Sequence, residues 1–229
     1  MAWPTVTLGA GASTITTGPG SISWQHIVGS NDTLLEVLVG EGTTSAIDRV
    51  TGVTWNGAAM SLKDAQNDAN WVTVQIWELI NPTPATANIV VSVSNTSQLV
   101  GNSISFDGAS TTTRAVSKGT TNNATDPTLT VVDSANGDIV ISFWGTDDSS
   151  TATTALGTSI QDVEGLGSDT SWNSQYQTAT GANTVCGWTH TTGNGGGGAL
   201  IGVAIKQAAG GGGGNAPTFP LPLSSGRRW

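Results

Sequence analysis

Apolar residues in this chain recur at every second position over short runs, and turn-forming residues separate the runs. In residues 21–28 (SISWQHIV), Ile22, Trp24 and His26 fall on one side and Ser21, Ser23 and Gln25 on the other. A period of two puts such a segment on a half-buried strand. Asn31-Asp32 then suits a turn, and residues 33–39 are rich in β-formers. Asn56-Gly57 is a strong hairpin signal between Val53-Thr54-Trp55 and Met60-Ser61-Leu62. Residues 70–79 align Val72, Val74 and Ile76, and residues 88–94 align Ile89, Val91 and Val93. Residues 99–108 turn Ile104 and Phe106 inward, and further runs fall at 127–132, 136–145, 184–190 and 199–207. Only residues 61–70 (SLKDAQNDAN) read as a short helical turn. The pattern predicts an all-β chain of about ten short strands, a β-sandwich or jelly-roll-like fold. We read residues 1–20 as an N-terminal arm, 21–208 as one sandwich domain and 209–229 as a tether with a docking peptide. A boundary at 109–126 is the alternative; it would leave each half short of strands.

Composition narrows the function. Charged residues make up 10% of the 229, and the formal net charge is −9. Arg227 and Arg228 are two of the seven basic residues, so the rest of the chain sets five against sixteen acidic ones. Binding nucleic acid needs clustered Lys and Arg to displace counterions, so that class is not expected. No run approaches the eighteen apolar residues of a membrane helix, and residues 1–14 lack the pattern of a Sec signal. Membrane insertion is therefore not expected either. Cys186 is the single cysteine, so no internal disulfide forms, and its β-like surroundings (TVCGW) fit a small buried hydrophobe.

Candidate chemistry is sparse. His26 and His190 are isolated, and His26 reads as a satisfied core or interface histidine rather than a zinc ligand. Asp64/Asp68, Asp147/Asp148 and Asp162/Glu164/Asp169 read as solvated loop carboxylates; a structural calcium is the alternative, and no other cofactor is expected. No spacing singles out a carboxylate pair for glycoside hydrolysis, and G-x-S-x-G does not occur. The glycines of 193–202 lack a phosphate-loop ending and read as a hairpin tip. Trp24, Trp55, Trp77, Trp144 and Trp188 belong to strands. Trp172 and Tyr176, in a polar stretch, form the candidate glycan platform, with ordinary packing or subunit contact as the competing reading.

The order of segments carries a resemblance. Trp24-Gln25-His26, 34–40, 53–62, 74–79, 84–94, 103–108, 137–143 and 202–208 follow one another as in a family of β-sandwich domains. That family occurs in phage virion structural proteins and, repeated, in large bacterial surface proteins. The resemblance covers about residues 20–208 and implies a sandwich for display, adhesion or virion architecture, with no catalytic residues to carry over. Asn81 departs from the family pattern, and a single copy argues against a long surface adhesin.

Residues 209–229 complete the expectation. Glycines 210–214 uncouple residues 215–229 from the body, and Pro217, Pro220 and Pro222 pre-set an extended backbone. Phe219, Leu221 and Leu223 supply apolar anchors, and Arg227, Arg228 and Trp229 are hot-spot residue types. Fully extended, the segment reaches ~65 Å at about 3.3 Å per residue. The expected function is a non-enzymatic phage virion protein, a head decoration or tail/fibre component assembled in the host cytoplasm. Its partners would be copies of itself and other virion proteins. A carbohydrate-binding or adhesion module for host glycans is the alternative, and a spike-type glycan hydrolase the third reading.

Overall fold

The computed structural model describes residues 6–208, apart from 17, 43–48, 70, 96, 113, 123–125, 148–152, 167–169 and 191–196. They form eighteen strands. The first ten are β1 (Val6–Leu8), β2 (Ala12–Thr16), β3 (Gly20–Val28), β4 (Asp32–Gly42), β5 (Val50–Trp55), β6 (Ala58–Ala59), β7 (Ser61–Asn67), β8 (Val72–Ile80), β9 (Ala85–Val93) and β10 (Ser97–Asp107). The remaining eight are β11 (Val116–Asn122), β12 (Thr128–Val132), β13 (Ile139–Thr146), β14 (Thr153–Ala155), β15 (Thr158–Leu166), β16 (Thr170–Thr178), β17 (Asn183–His190) and β18 (Gly197–Ile205). All pairings are antiparallel. The fold is thus all-β as the pattern predicts, with more strands than the roughly ten legible in it.

Four sheets stack in layers. The N-terminal half gives an inner sheet, β1-β10-β4-β8-β7 with β2 also on β10, and an outer sheet, β3-β9-β5-β6. The C-terminal half gives an inner sheet, β11-β18-β13-β16-β15, and an outer sheet, β12-β17-β14. The order is the same in both: β1, β3, β4, β5, β7, β8, β9 and β10 take the places of β11 to β18 in turn. Each half therefore has the strands of a complete sandwich, and the two inner sheets face each other.

Three cores fill the three gaps. Trp24, Trp55, Val37, Val39 and Ile89 close the N-terminal sandwich. Leu129, Val131, Trp144, Cys186 and Trp188 close the C-terminal one, with Trp144 and Trp188 rings 5.9 Å apart. Between the halves, Leu34, Leu38, Ile76 and Phe106 meet Ile141, Phe143, Trp172 and Ile201.

Layer position explains the patterning. Outer strands have one wet face, so β3 alternates from Ile22 to Val28 and β12 alternates likewise. Inner strands are covered on both faces, so β4 and β13 are buried almost without interruption. Residues 61–67 form β7 rather than a helical turn. They pair with β8, Lys63 Nζ lies 3.1 Å from Glu78, and Asn67 Nδ2 donates to Thr73 Oγ1 at 2.7 Å. Asn81 holds a left-handed turn position at φ 51° and its N–H donates to the Thr33 carbonyl, a conformation asparagine tolerates.

Candidate functional site

The proposed glycan platform does not form. Trp172 is 1% exposed and lies in β16 at the centre of the layer between the two inner sheets. Its ring stacks on Phe143 with centroids 6.0 Å apart. Two glycines make room for it, Gly40 on β4 and Gly145 on β13; a Cβ on either would collide with the indole. Tyr176 is half-buried against the same core. An indole without an open face has nothing to stack on a sugar, so Trp172 is a packing residue. The exposed indole among the described residues is Trp71, 44% exposed, in the turn before β8. Asp68 Oδ1 holds that turn by accepting from the N–H groups of Trp71 and Val72 at 2.9 and 3.0 Å.

His26 is a core histidine. It is 1% exposed on the inward face of β3, with Nδ1 2.9 Å from Ser103 Oγ, which also accepts from Trp24 Nε1 at 2.9 Å. Gly9, in the break between β1 and β2, lacks the Cβ that would strike both Ser103 and His26. Burial lowers the His26 pKa from the ordinary 6.5 to about 4, and Asp32 opposes that only partly. The unfolded chain therefore binds the extra proton first as pH falls. Folding stability is expected to be complete at pH 7 and to decline between about 6.5 and 4, by roughly 3 kcal/mol at 1.36 kcal/mol per unit. Urea unfolding at pH 7 and pH 4.5 measures this, and a His26→Gln chain should show a shallower decline. His190 ends β17.

The acidic residues serve structure where they are described. Asp64 Oδ1 accepts from Lys118 Nζ at 2.8 Å. Asp147, Asp64 and Asp68 do not come together: among the described residues no three His, Cys, Asp or Glu gather around one point. Asp148, Asp169 and the side chains of Asp162 and Glu164 lie outside the described residues. Cys186 is fully buried, its Sγ accepts from Gln177 Nε2 at 3.3 Å, and burial raises its pKa. That suits the buried hydrophobe expected.

The densest charge cluster lies where the chain passes from one half to the other. Arg114 precedes β11, and its Nη2 donates to Glu36 Oε1 at 2.9 Å and to Glu78 Oε2 at 3.0 Å. Its Nη1 donates to the Ser110 carbonyl at 2.6 Å. Glu36 and Glu78 are cross-strand neighbours, and Lys63 also contacts Glu78. Burial pushes the Glu36 carboxyl up to about 8, against the pull of Arg114. With the side chains of Arg114 and Glu36 2% and 0% exposed, this cluster fastens the connecting segment and meets no solvent-borne substrate.

A pocket of about 160 Å³ opens beside the Asn56-Gly57 hairpin, lined by Trp55, Asn56, Leu79, Asn81, Pro82 and others. Its lining has amides and an indole but no carboxylate, so it offers no acid–base pair for glycoside cleavage.

The remaining candidate is a surface. On β3, Ser21, Ser23, Gln25 and Ile27 face solvent, and Ile27 is 56% exposed. Thr86 and Asn88 lie beside Ile27 and Gln25 on β9. This outer face carries no charged side chain along β3 or β9. The predicted docking residues Phe219, Leu221, Leu223, Arg227, Arg228 and Trp229 lie outside the described residues. No protein-family model, no curated protein and no solved structure matches the chain.

Proposed function

We infer that the chain is a structural protein of a phage virion, a head decoration or tail/fibre component that presents two stacked sandwiches and ties itself into the assembly through residues 209–229. The observation that supports this most is the sequence after residue 208, where a glycine run leads to an apolar, proline-rich peptide with two arginines. Such a peptide loses little entropy on binding, and its anchors suit an interface. The role is architectural and non-catalytic, and the partners are further copies and other virion proteins. The segment resemblance to phage sandwich domains points the same way. The glycan-module reading has lost its Trp172 platform.

Deleting residues 210–229 tests the idea. The truncated chain is expected to keep its β-type circular dichroism and its unfolding midpoint within a degree or two, because nothing in the three cores is removed. It should fail to join the particle or oligomer. Unchanged occupancy and salt resistance in the assembly would remove the docking arm from the account.

A further inference from the structure

We propose that the open edge of β3 receives residues 218–224 of a second copy of this chain as an added strand. The inference rests on the docking-arm reading and names the arm's receptor.

The first observation is the edge itself. β3 runs nine residues, pairs with β9 in unbroken register, and makes no backbone hydrogen bond on its other side among the described residues. It contains no Lys, Arg, Asp, Glu or Pro. Proteins normally block such an edge with charge, proline, a bulge or a cover, because it templates strand addition. Among the described residues the other edge strands are charged, irregular, partly capped or short. β7 carries Lys63 and Asp64 and shifts register between Leu62 and Asp64; β15 shifts twice. β11 carries Lys118, and the Val132 N–H of β12 is taken by Ser117 Oγ at 3.0 Å. β6 and β14 span two and three residues. β1 and β2, of three and five residues, are separated by a break.

The second observation is the parity of the prolines. In an extended strand the N–H groups of alternate residues point to opposite edges. Pro220 and Pro222 remove donors from one edge only, and Phe219, Leu221 and Leu223 keep theirs on the other. A segment so built can add to a sheet as its last strand and cannot be extended further. It matches an edge that must accept one strand and then stop.

The third observation is where the arm departs. The Ala208 N–H donates to the Gly108 carbonyl at 2.9 Å, and the Gly108 N–H to the Asn31 carbonyl at 3.4 Å, in the turn that follows β3. Reversing onto the chain's own β3 from that corner needs a loop of about two to five residues. Residues 209–217 supply nearly double the upper figure and extend to about 30 Å, a length that fits a neighbouring copy.

Backbone hydrogen exchange on the full-length chain tests this. In concentrated protein, amides on the open side of residues 20–28 should exchange about a hundredfold more slowly than after dilution to monomer. Leu221→Pro removes an N–H from the competent edge and should abolish that protection. Thr218→Pro places a proline on the edge already blocked and should leave it intact. Neither substitution touches a residue of the three cores, and tryptophan fluorescence checks that the body is unaltered. Unprotected β3 amides at high concentration overturn the proposal, as does equal response to the two prolines. Protection that ignores dilution overturns it too, by putting the arm on its own β3. If the 210–229 deletion blocks assembly while β3 stays unprotected, the edge is wrong and the docking arm stands; if assembly survives that deletion, the docking arm itself falls.

Discussion

Trp172→Ala is expected to destabilise the fold by about 3–5 kcal/mol, the cost of emptying a buried aromatic site, and to leave any glycan binding unchanged. The indole is fully enclosed, touches Phe143, and fills the space left by Gly40 and Gly145, so its loss opens a cavity between the halves rather than inside one of them. In a chain of this length the melting temperature should fall by roughly 6–20 °C. Gly40→Ala and Gly145→Ala press a methyl group into the same ring and should each cost about 1–3 kcal/mol. Because the two glycines contact one indole, their effects should not add when combined. Thermal unfolding of the four variants checks this. A Trp172→Ala chain with unchanged stability and lost sugar binding would restore the platform reading.

Arg114→Ala should be as severe, about 3–5 kcal/mol, at pH values above the folded-state pKa of Glu36, where it strands a buried carboxylate. The loss should depend on pH in a particular direction. The Glu36 pKa is raised from 4.5 to about 8 by burial even with Arg114 in place, and without the guanidinium it rises further. Below the folded-state pKa, Glu36 takes up a proton and the site becomes neutral; above it, a lone charge is buried. Destabilisation by Arg114→Ala should therefore be smaller at pH 5 than at pH 9. Adding Glu36→Gln should recover most of the loss at the higher pH, because the stranded charge is then gone. Urea titrations at the two pH values measure both effects, and a pH-independent loss would show that the cluster acts through packing alone.

Much of the fold was legible in the sequence where burial is apolar. Alternation in 21–28, the Asn56-Gly57 hairpin and the runs at 70–79 and 88–94 correspond to β3, β5–β6, β8 and β9. Polar strands were not legible. β16 (TSWNSQYQT) is buried through hydrogen bonds: Ser174 Oγ accepts from Asn102 Nδ2 at 2.9 Å, and Gln175 Nε2 donates to the Gly187 carbonyl at 3.1 Å. A hydrophobicity pattern has no means to register such burial, and Trp172 within it therefore read as a surface aromatic. The double layering is encoded in two apolar runs. Residues 34–40 and 139–145 are nearly continuous apolar runs, each ending in glycine, and strands of that kind need a sheet on both faces. One two-layer sandwich has no place for either. The docking residues stood on composition and proline spacing, which describe a free peptide and not the surface it meets.

The two halves share one strand order but differ at corresponding positions. Gly40 and Gly145 occupy the same place on β4 and β13, so four residues earlier Glu36 corresponds to Ile141, and their cross-strand neighbours Glu78 and Tyr176 correspond as well. Two halves meeting through corresponding inner sheets give most strands a twin in the other half. The covalent connection has none: it passes from the first half to the second once, and Arg114 rides on it. The acidic pair has its cation only on that side. At the twin position no guanidinium arrives, and a carboxylate there would be buried alone. An isoleucine and a tyrosine stand there instead. The chain thus resembles a dimer whose two protomers have been made unlike by the single peptide that joins them.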